Sequence, residues 1–216
     1  MNQDMQARLD LIRAAREMAS RGLSAGTSGN VSLRGAEGIL ITPSAVPYEE
    51  LTLEMIPLLR PDGSFEGRFR PSSEWRFHLD IYLSRPEAGG VVHHHAPYCT
   101  ALSMARRDIP ACHYMVTRFG GGGVRCADYA LFGTAALSEA VLRALEGRTA
   151  CLMANHGGLA LGRDVFAALG AATELEVLAQ QYLLCLQAGG PVLLSDREVE
   201  DALNQFARAY GPNTGK

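Results

Sequence analysis

Short apolar runs alternating with amphipathic stretches predict a layered α/β or α+β fold around a mixed sheet. Three observations carry that expectation. Helical periodicity recurs between strand-like segments along the whole chain, as it does where helices cover a sheet. Turn residues punctuate the changes of period, such as Pro43-Ser44 and Asp62-Gly63. The 216 residues, 47% hydrophobic and 20% charged, suffice for one sizeable core and lack the bias of a disordered chain. With no internal repeat, low-complexity tract or linker, a single domain over residues 1–216 is expected.

Residues 2–21 place Met5, Leu9, Ile12 and Ala15 at helical spacing, predicting a helix with one buried face that Gly22 stops. GTSGNVSLR (26–34) reads as a turn and a short strand, and GILITPS (38–44) as a second strand. MIPLLRPDGS (55–64) reads as a third strand, ending in Asp-Gly. PSSEWRFHLDIYLSRP (71–86) predicts a helix with serines at its cap and Pro86 beyond its end. AGGVVHHH (88–95) is a buried strand, and Pro97 suits the first turn of a helix over 97–106. The glycines of FGGGGVR (119–125) predict a mobile loop. Residues 135–146 form a helix through Leu137, Val141 and Leu145, followed by Gly147. TACLMANHGGLALG (149–162) reads as strand, tight turn, strand. Asp164 caps a long apolar helix to about Leu186, and Ser195 with Glu198 makes a capping box for the last helix.

Composition excludes several partners. A formal net charge of -3 argues against a nucleic-acid or anionic-membrane surface, both of which need a basic footprint. MNQDMQARLD has no basic-then-apolar pattern, and no apolar run reaches membrane-spanning length. Cys99, Cys112, Cys126, Cys151 and Cys185 stand singly, without a CxxC pair, as reduced thiols would. The expected location is the cytoplasm.

VVHHHAPYCT (91–100) crowds three imidazoles at the end of an apolar run. Side chains alternate along a strand, so His93 and His95 share a face and His94 points to the other. His156, in ANHGG, sits at a strand end before a Gly-Gly turn that permits close approach. Three histidines with an open position is the pattern of a catalytic metal site, for which zinc and other divalent transition metals are suited. The alternative, an exposed loop plus a hydrogen-bonded core histidine, stands beside it on these residues alone. His78 and His113 read as structural. Glu74 follows two serines at a helix start, where a carboxylate complements the helix dipole. Thr27, Ser28, Gly29 and Asn30, Ser44, and Ser72 with Ser73 are turn and cap residues that also offer hydroxyls and N–H groups to an anion. Tyr114 and Tyr210 read as packing residues with an outward hydroxyl.

GTSGNVS, ITPS, PSSEWRFHLDIY, VVHHHAPYCTALS, HYM and CLMANHGGLALG, in this order and spacing, resemble the class II aldolase/adducin family, in its L-fuculose-phosphate aldolase branch, over about residues 7–210. The resemblance implies a three-layer α/β/α fold with a central mixed, largely antiparallel sheet. It implies that His93, His95 and His156 bind Zn2+ (Mn2+, Co2+ or Fe2+ being alternatives), that His94 is a bystander, and that Glu74 is both the general acid/base and a metal ligand until substrate displaces it. Thr27, Ser28, Gly29, Asn30, Ser44, Ala45, Ser72 and Ser73 become the sugar-phosphate site. Ala45 departs from the family's usual glycine and resists positive φ. Tyr114 and Tyr210 become active-site tyrosines, the first crossing a subunit boundary, in a homotetramer with sites between subunits.

The implied reaction is retro-aldol cleavage of a ketose 1-phosphate to dihydroxyacetone phosphate and an aldehyde. Phe119, Tyr129 and Phe132 suggest a substrate with an apolar far end: a 5-deoxy or 5-methylthio pentulose phosphate, or fuculose phosphate. Related dehydratases, 4-epimerases and decarboxylases share the metal triad; an epimerase needs a second acid/base, for which Asp128 is the nearby candidate. A non-catalytic adducin-like module lacks the metal, and the complete His93/His95/His156/Glu74 set argues against it.

Overall fold

The structure, a computed structural model, describes residues 3–210, with side chains to Arg208. In chain order the elements are α1 (Gln3–Ser20), β1 (Asn30–Arg34), β2 (Ile39–Ile41), β3 (Leu58–Leu59), β4 (Phe65–Glu66), α2 (Trp75–Ser84), β5 (Gly90–His94), α3 (Pro97–Met104), β6 (Cys126–Ala127), α4 (Ala135–Ala144), β7 (Ala150–Met153), β8 (Gly157–Gly162), α5 (Val165–Gln187) and α6 (Asp196–Tyr210). The strands form one sheet in the order β4-β3-β2-β1-β5-β8-β7-β6. Every neighbouring pair is antiparallel except β6 with β7.

Period-two alternation sorts the sheet's side chains into two cores. Val31, Val92, Leu152 and Ala160 pack with Leu11 and Met18 of α1, Leu102 of α3 and Leu169, Leu175 and Leu178 of α5. Val91, Cys151, Leu159 and Leu161 pack on the opposite face with Phe77 and Ile81 of α2 and Val141 of α4. The result is the expected α/β/α sandwich. Each fully buried Leu, Val or Phe contributes about 1.5–3 kcal/mol of hydrophobic stabilisation. Among the described residues no helix is long and apolar enough to cross a membrane.

Several caps form as the sequence predicts. Asp164 accepts from Ala167 N at 2.7 Å, Ser195 and Glu198 form their reciprocal box, and Pro97 occupies the first turn of α3. Other expectations need correction. The buried face of α1 is Leu11, Ile12, Ala14, Ala15 and Met18, while Met5 and Leu9 are exposed, because the helix meets the sheet only through its second half. Residues 55–64 are not one strand; two-residue β3 and β4 pair across the Asp62-Gly63 turn. Ser72 and Ser73 precede α2, which begins at Trp75 with Glu74 at its N-cap position and no side-chain cap bond. The glycine tract, expected to be a mobile loop, is tied to the fold where Arg148 donates to the carbonyls of Gly120 and Gly123 and Val124 bridges Ile109.

Candidate active site

One end of β1, β5 and β8 gathers the chemistry. His93 lies on β5 opposite Asn30 of β1 and Leu159 of β8, facing α2. Its Nδ1 is 2.9 Å from the Gly158 carbonyl, which can only accept; the ring therefore donates there, and Nε2 is the nitrogen that faces the cluster. His95 follows β5, and its direction is set where Glu176 of α5 accepts from the Tyr98 and Cys99 N–H groups, each at 2.8 Å, capping α3. His156 ends the β7–β8 turn. Asn155 there has φ 55, a conformation asparagine tolerates, and its N–H donates to the Ser103 carbonyl at 2.9 Å. Gly157 and Gly158 let β8 approach β5: a Cβ at Gly157 would lie 2.3 Å from the His94 carbonyl oxygen, and one at Gly158 2.8 Å from His94 Nε2.

The four ligand atoms of Glu74, His93, His95 and His156 all lie within 4.8 Å of one another. His93 Nε2 is 3.0 Å from His95 Nε2 and 3.1 Å from Glu74 Oε2, and His156 Nε2 is 3.3 Å from Glu74 Oε1. Tetrahedral ligands at the usual 2.0–2.2 Å from zinc stand about 3.3–3.6 Å apart, within a few tenths of an ångström of these separations. Glu74 Oε1 is buried without a hydrogen-bond partner. Electron pairs converging on one point in a buried site are costly unless a cation or protons lie between them. The donor set thus fits a divalent cation.

Protonation agrees with that fit. His95 and His156 are pushed down to about 4, by burial first and then by the neighbouring His93, so both are neutral near pH 7, as ligation requires. Burial alone would raise the Glu74 carboxyl; His93, His156 and the Asn30 amide outweigh it and hold the group below the usual carboxylate range. His94 points to the other face, fully buried near Gly158 and Leu175 of α5, and is no part of the cluster. His78 is buried and hydrogen-bonded to Ser32 and Asn30, and His113 accepts from Met115 N, so both are structural in the first instance.

A pocket of about 400 Å³ opens over the cluster. It gathers Thr27, Ser28, Gly29, Asn30, Ser44, Ala45, Ser72 and Ser73, all eight predicted anion-site residues, beside Glu74, His95 and His156. Among the described residues no lysine or arginine lines it. An anion there would be met by hydroxyls, backbone N–H groups and the N-terminus of α2. Tyr129 and Phe132 form its far wall with Ala130, whereas Phe119 is core and takes no part. Tyr114 is 53% exposed, stacks near Phe206 and does not line the pocket. Tyr210 ends α6, and its side chain lies outside the described residues.

Two residues set the shape of the anion loop. Tyr48, which sequence reasoning passed over, is buried, and its hydroxyl lies 2.9 and 2.8 Å from the carbonyl oxygens of Ser28 and Gly29. Nothing in VPYEE (46–50) marks it for that role. Gly29 has φ 75, and a Cβ there would lie 2.5 Å from Ser24 Oγ and 2.7 Å from the His93 carbonyl. Gly29→Ala is therefore expected to cost roughly 2–5 kcal/mol from left-handed strain and overpacking, read as a lower denaturation midpoint. Ala45 occupies the left-handed region at φ 58, so the cradle keeps a glycine-like path without glycine. Ala45→Gly is expected to stabilise by up to about 1 kcal/mol, the αL penalty exceeding the added chain entropy; chemical denaturation would measure it.

The model of the Class II Aldolase and Adducin N-terminal domain matches residues 9–183. The chain belongs to this family. It is 48% identical over 203 residues to a 5-methylthioribulose-1-phosphate/5-deoxyribulose-1-phosphate aldolase of Rhodospirillum rubrum, covering 94% of this chain and 91% of the relative. It is also 48% identical to the L-fuculose phosphate aldolase of Escherichia coli K12, over 93% of this chain and 94% of that one. A solved L-fuculose 1-phosphate aldolase superposes with a TM-score of 0.90 at 35% identity, covering 93% of this chain and 96% of the other. Family membership and the His/Glu cluster together imply a divalent metal cofactor for this class II aldolase.

Proposed function

We propose that the chain is a lyase that cleaves a ketose 1-phosphate to dihydroxyacetone phosphate and an aldehyde. The observation that carries this reading is a carboxylate, one oxygen free of hydrogen bonds, among three imidazoles at the base of an anion-binding pocket. Hydroxyls and N–H groups of residues 27–30, 44–45 and 72–73 bind the phosphate and orient the sugar over the cluster. His93, His95 and His156, with Glu74, would hold the cation, for which zinc fits the three-imidazole set. When bound, the cation supplies Lewis acidity for the negative charge that develops on the ketone fragment. Glu74, ionised at rest, takes up a proton from a substrate hydroxyl and returns it to the carbon that has lost its partner. Tyr114 and Tyr210 hydrogen-bond the oxygen that becomes the aldehyde and relay its proton to Glu74, so that one proton leaves that hydroxyl and one reaches the carbon. Tyr114 is exposed and absent from its own chain's pocket, which favours its serving a neighbour's site in a homotetramer. Five free thiols favour a reducing, cytoplasmic setting.

Tyr129 and Phe132 on the far wall favour an aldehyde half ending in an apolar group, as in 5-deoxy or 5-methylthio pentulose 1-phosphates and L-fuculose 1-phosphate. The names of the relatives point the same way. Epimerisation is disfavoured because the Asp128 side chain is 90% exposed and lies 3.9 Å from Arg143, away from the cluster. The test is a panel of these ketose 1-phosphates, with dihydroxyacetone phosphate detected through a coupled dehydrogenase. Appearance of that product supports the lyase. Loss of water or an epimer, without it, would replace the lyase by a dehydratase or epimerase.

A further inference from the structure

A buried hydrogen-bond chain runs from the sheet to the free carboxylate, and its polarity is determined from one end. Glu74 Oε2, ionised, can only accept, so Asn30 presents Nδ2 to it at 3.0 Å. The Asn30 oxygen then faces His78 Nε2, which must carry the proton. Neutral His78 accordingly has a bare Nδ1, 2.6 Å from Ser32 Oγ, and the Ser32 proton is directed there. Ser32 in turn accepts from Tyr82 at 3.0 Å, and the phenolic oxygen of Tyr82 receives the Val91 N–H. Asn30, Ser32, Glu74, His78 and Tyr82 are all more than nine-tenths buried. A ring so enclosed is held neutral, burial pushing His78 down to about 3. Were the Asn30 amide to flip, two oxygens would face each other across the Glu74 contact.

We infer that His78 is a positioning residue: locked as the Nε2–H tautomer, it holds the Asn30 amide so that it donates to Glu74 Oε2 and leaves Oε1 as the oxygen without a hydrogen bond. His78 touches neither the pocket nor the ligand atoms and acts only through Asn30. Its role in turnover rests on the reading of Glu74 as the proton carrier. Groups that orient an active-site carboxylate or ligand typically affect activity by about 10–100-fold.

Two variants separate orientation from packing. His78→Phe keeps a ring and removes the donor, whereas His78→Gln keeps an N–H near the position of Nε2. In the metal-loaded protein, His78→Phe is expected to lower kcat about 10–100-fold with bound metal retained and KM changed little. His78→Gln should recover most of that loss. Nitrogen-15 imidazole spectra of the metal-loaded wild type at pH 7.5, assigned by the signals missing in His78→Gln, should show His78 with Nε2 protonated and Nδ1 bare. An Nδ1–H tautomer or an imidazolium overturns the inference, as do equal losses in the two variants or none in either. The spectrum needs no substrate and no folded His78→Phe. A wild type inert toward every ketose 1-phosphate would therefore overturn the lyase reading while leaving the tautomer test decisive for the amide orientation.

Discussion

Glu74→Gln is expected to keep its divalent cation and to lose about 10²–10⁴-fold in turnover, the range general acid–base groups contribute. At 1.36 kcal/mol per tenfold, that is a barrier raised by about 2.7–5.4 kcal/mol. The substitution is informative because it changes so little else. Glutamine has the same reach, and its amide oxygen can still accept from Asn30 Nδ2, now 3.0 Å from Oε2. The three imidazoles that dominate the donor set are untouched. What disappears is a group able to take up and release a proton. Metal content after desalting and kcat on the same preparation check both halves. Full turnover in the variant would assign the proton transfer to another residue; loss of the cation would make Glu74 chiefly a ligand.

The elements that sequence reading located are those whose local signals agree with their packing. The Asp164 and Ser195/Glu198 caps, Pro97 at the start of α3 and the alternation of β5 are short-range rules that tertiary contacts do not oppose. The elements it missed are held from outside themselves. Two-residue β4 and β6 are too short for any period, and exist because β3 and β7 offer them partners. The glycine tract looked free because nothing within it binds; Arg148, more than twenty residues away, supplies the donors. Met5 and Leu9 share a helical stripe with Ile12 yet lie beyond the sheet.

The candidate site divides along the same line. The pair His93 and His95, with His94 turned away, follows from strand alternation alone, and the structure brings His156 and Glu74 to meet them. Phe119 and the pocket aromatics Tyr129 and Phe132 are indistinguishable by residue type, and only burial separates core from wall. Residues that support the site without touching it carry weaker signals in the sequence. Glu176 had one legible trace, a carboxylate set between the buried Ala172 and Ala179 on a largely apolar helix, which marks a charge in need of a partner. The His78–Asn30 link had none, since it joins α2 to β1 across forty-eight residues.

His156→Ala should abolish stable metal binding, and its destabilisation should depend on the cation. A ligand that binds only the folded state stabilises it by about 4.1 kcal/mol at a thousand times its dissociation constant. Altering groups that merely orient a ligand costs about 10–100-fold in affinity, so deleting one of three imidazoles should cost more. With metal present, the variant is expected to melt below the wild type. In excess chelator the order should invert or vanish, because the metal-free cluster crowds lone pairs at 3.0 to 3.3 Å and removing one imidazole relieves it. His156 is better suited to this test than His93, whose ring is fully buried against Phe77 and whose loss would leave a cavity. Melting curves of both proteins, with and without chelator, decide it. A wild type whose midpoint ignores the chelator would show that the three rings and the carboxylate share protons and not a cation, and the Lewis-acid step would then have no source.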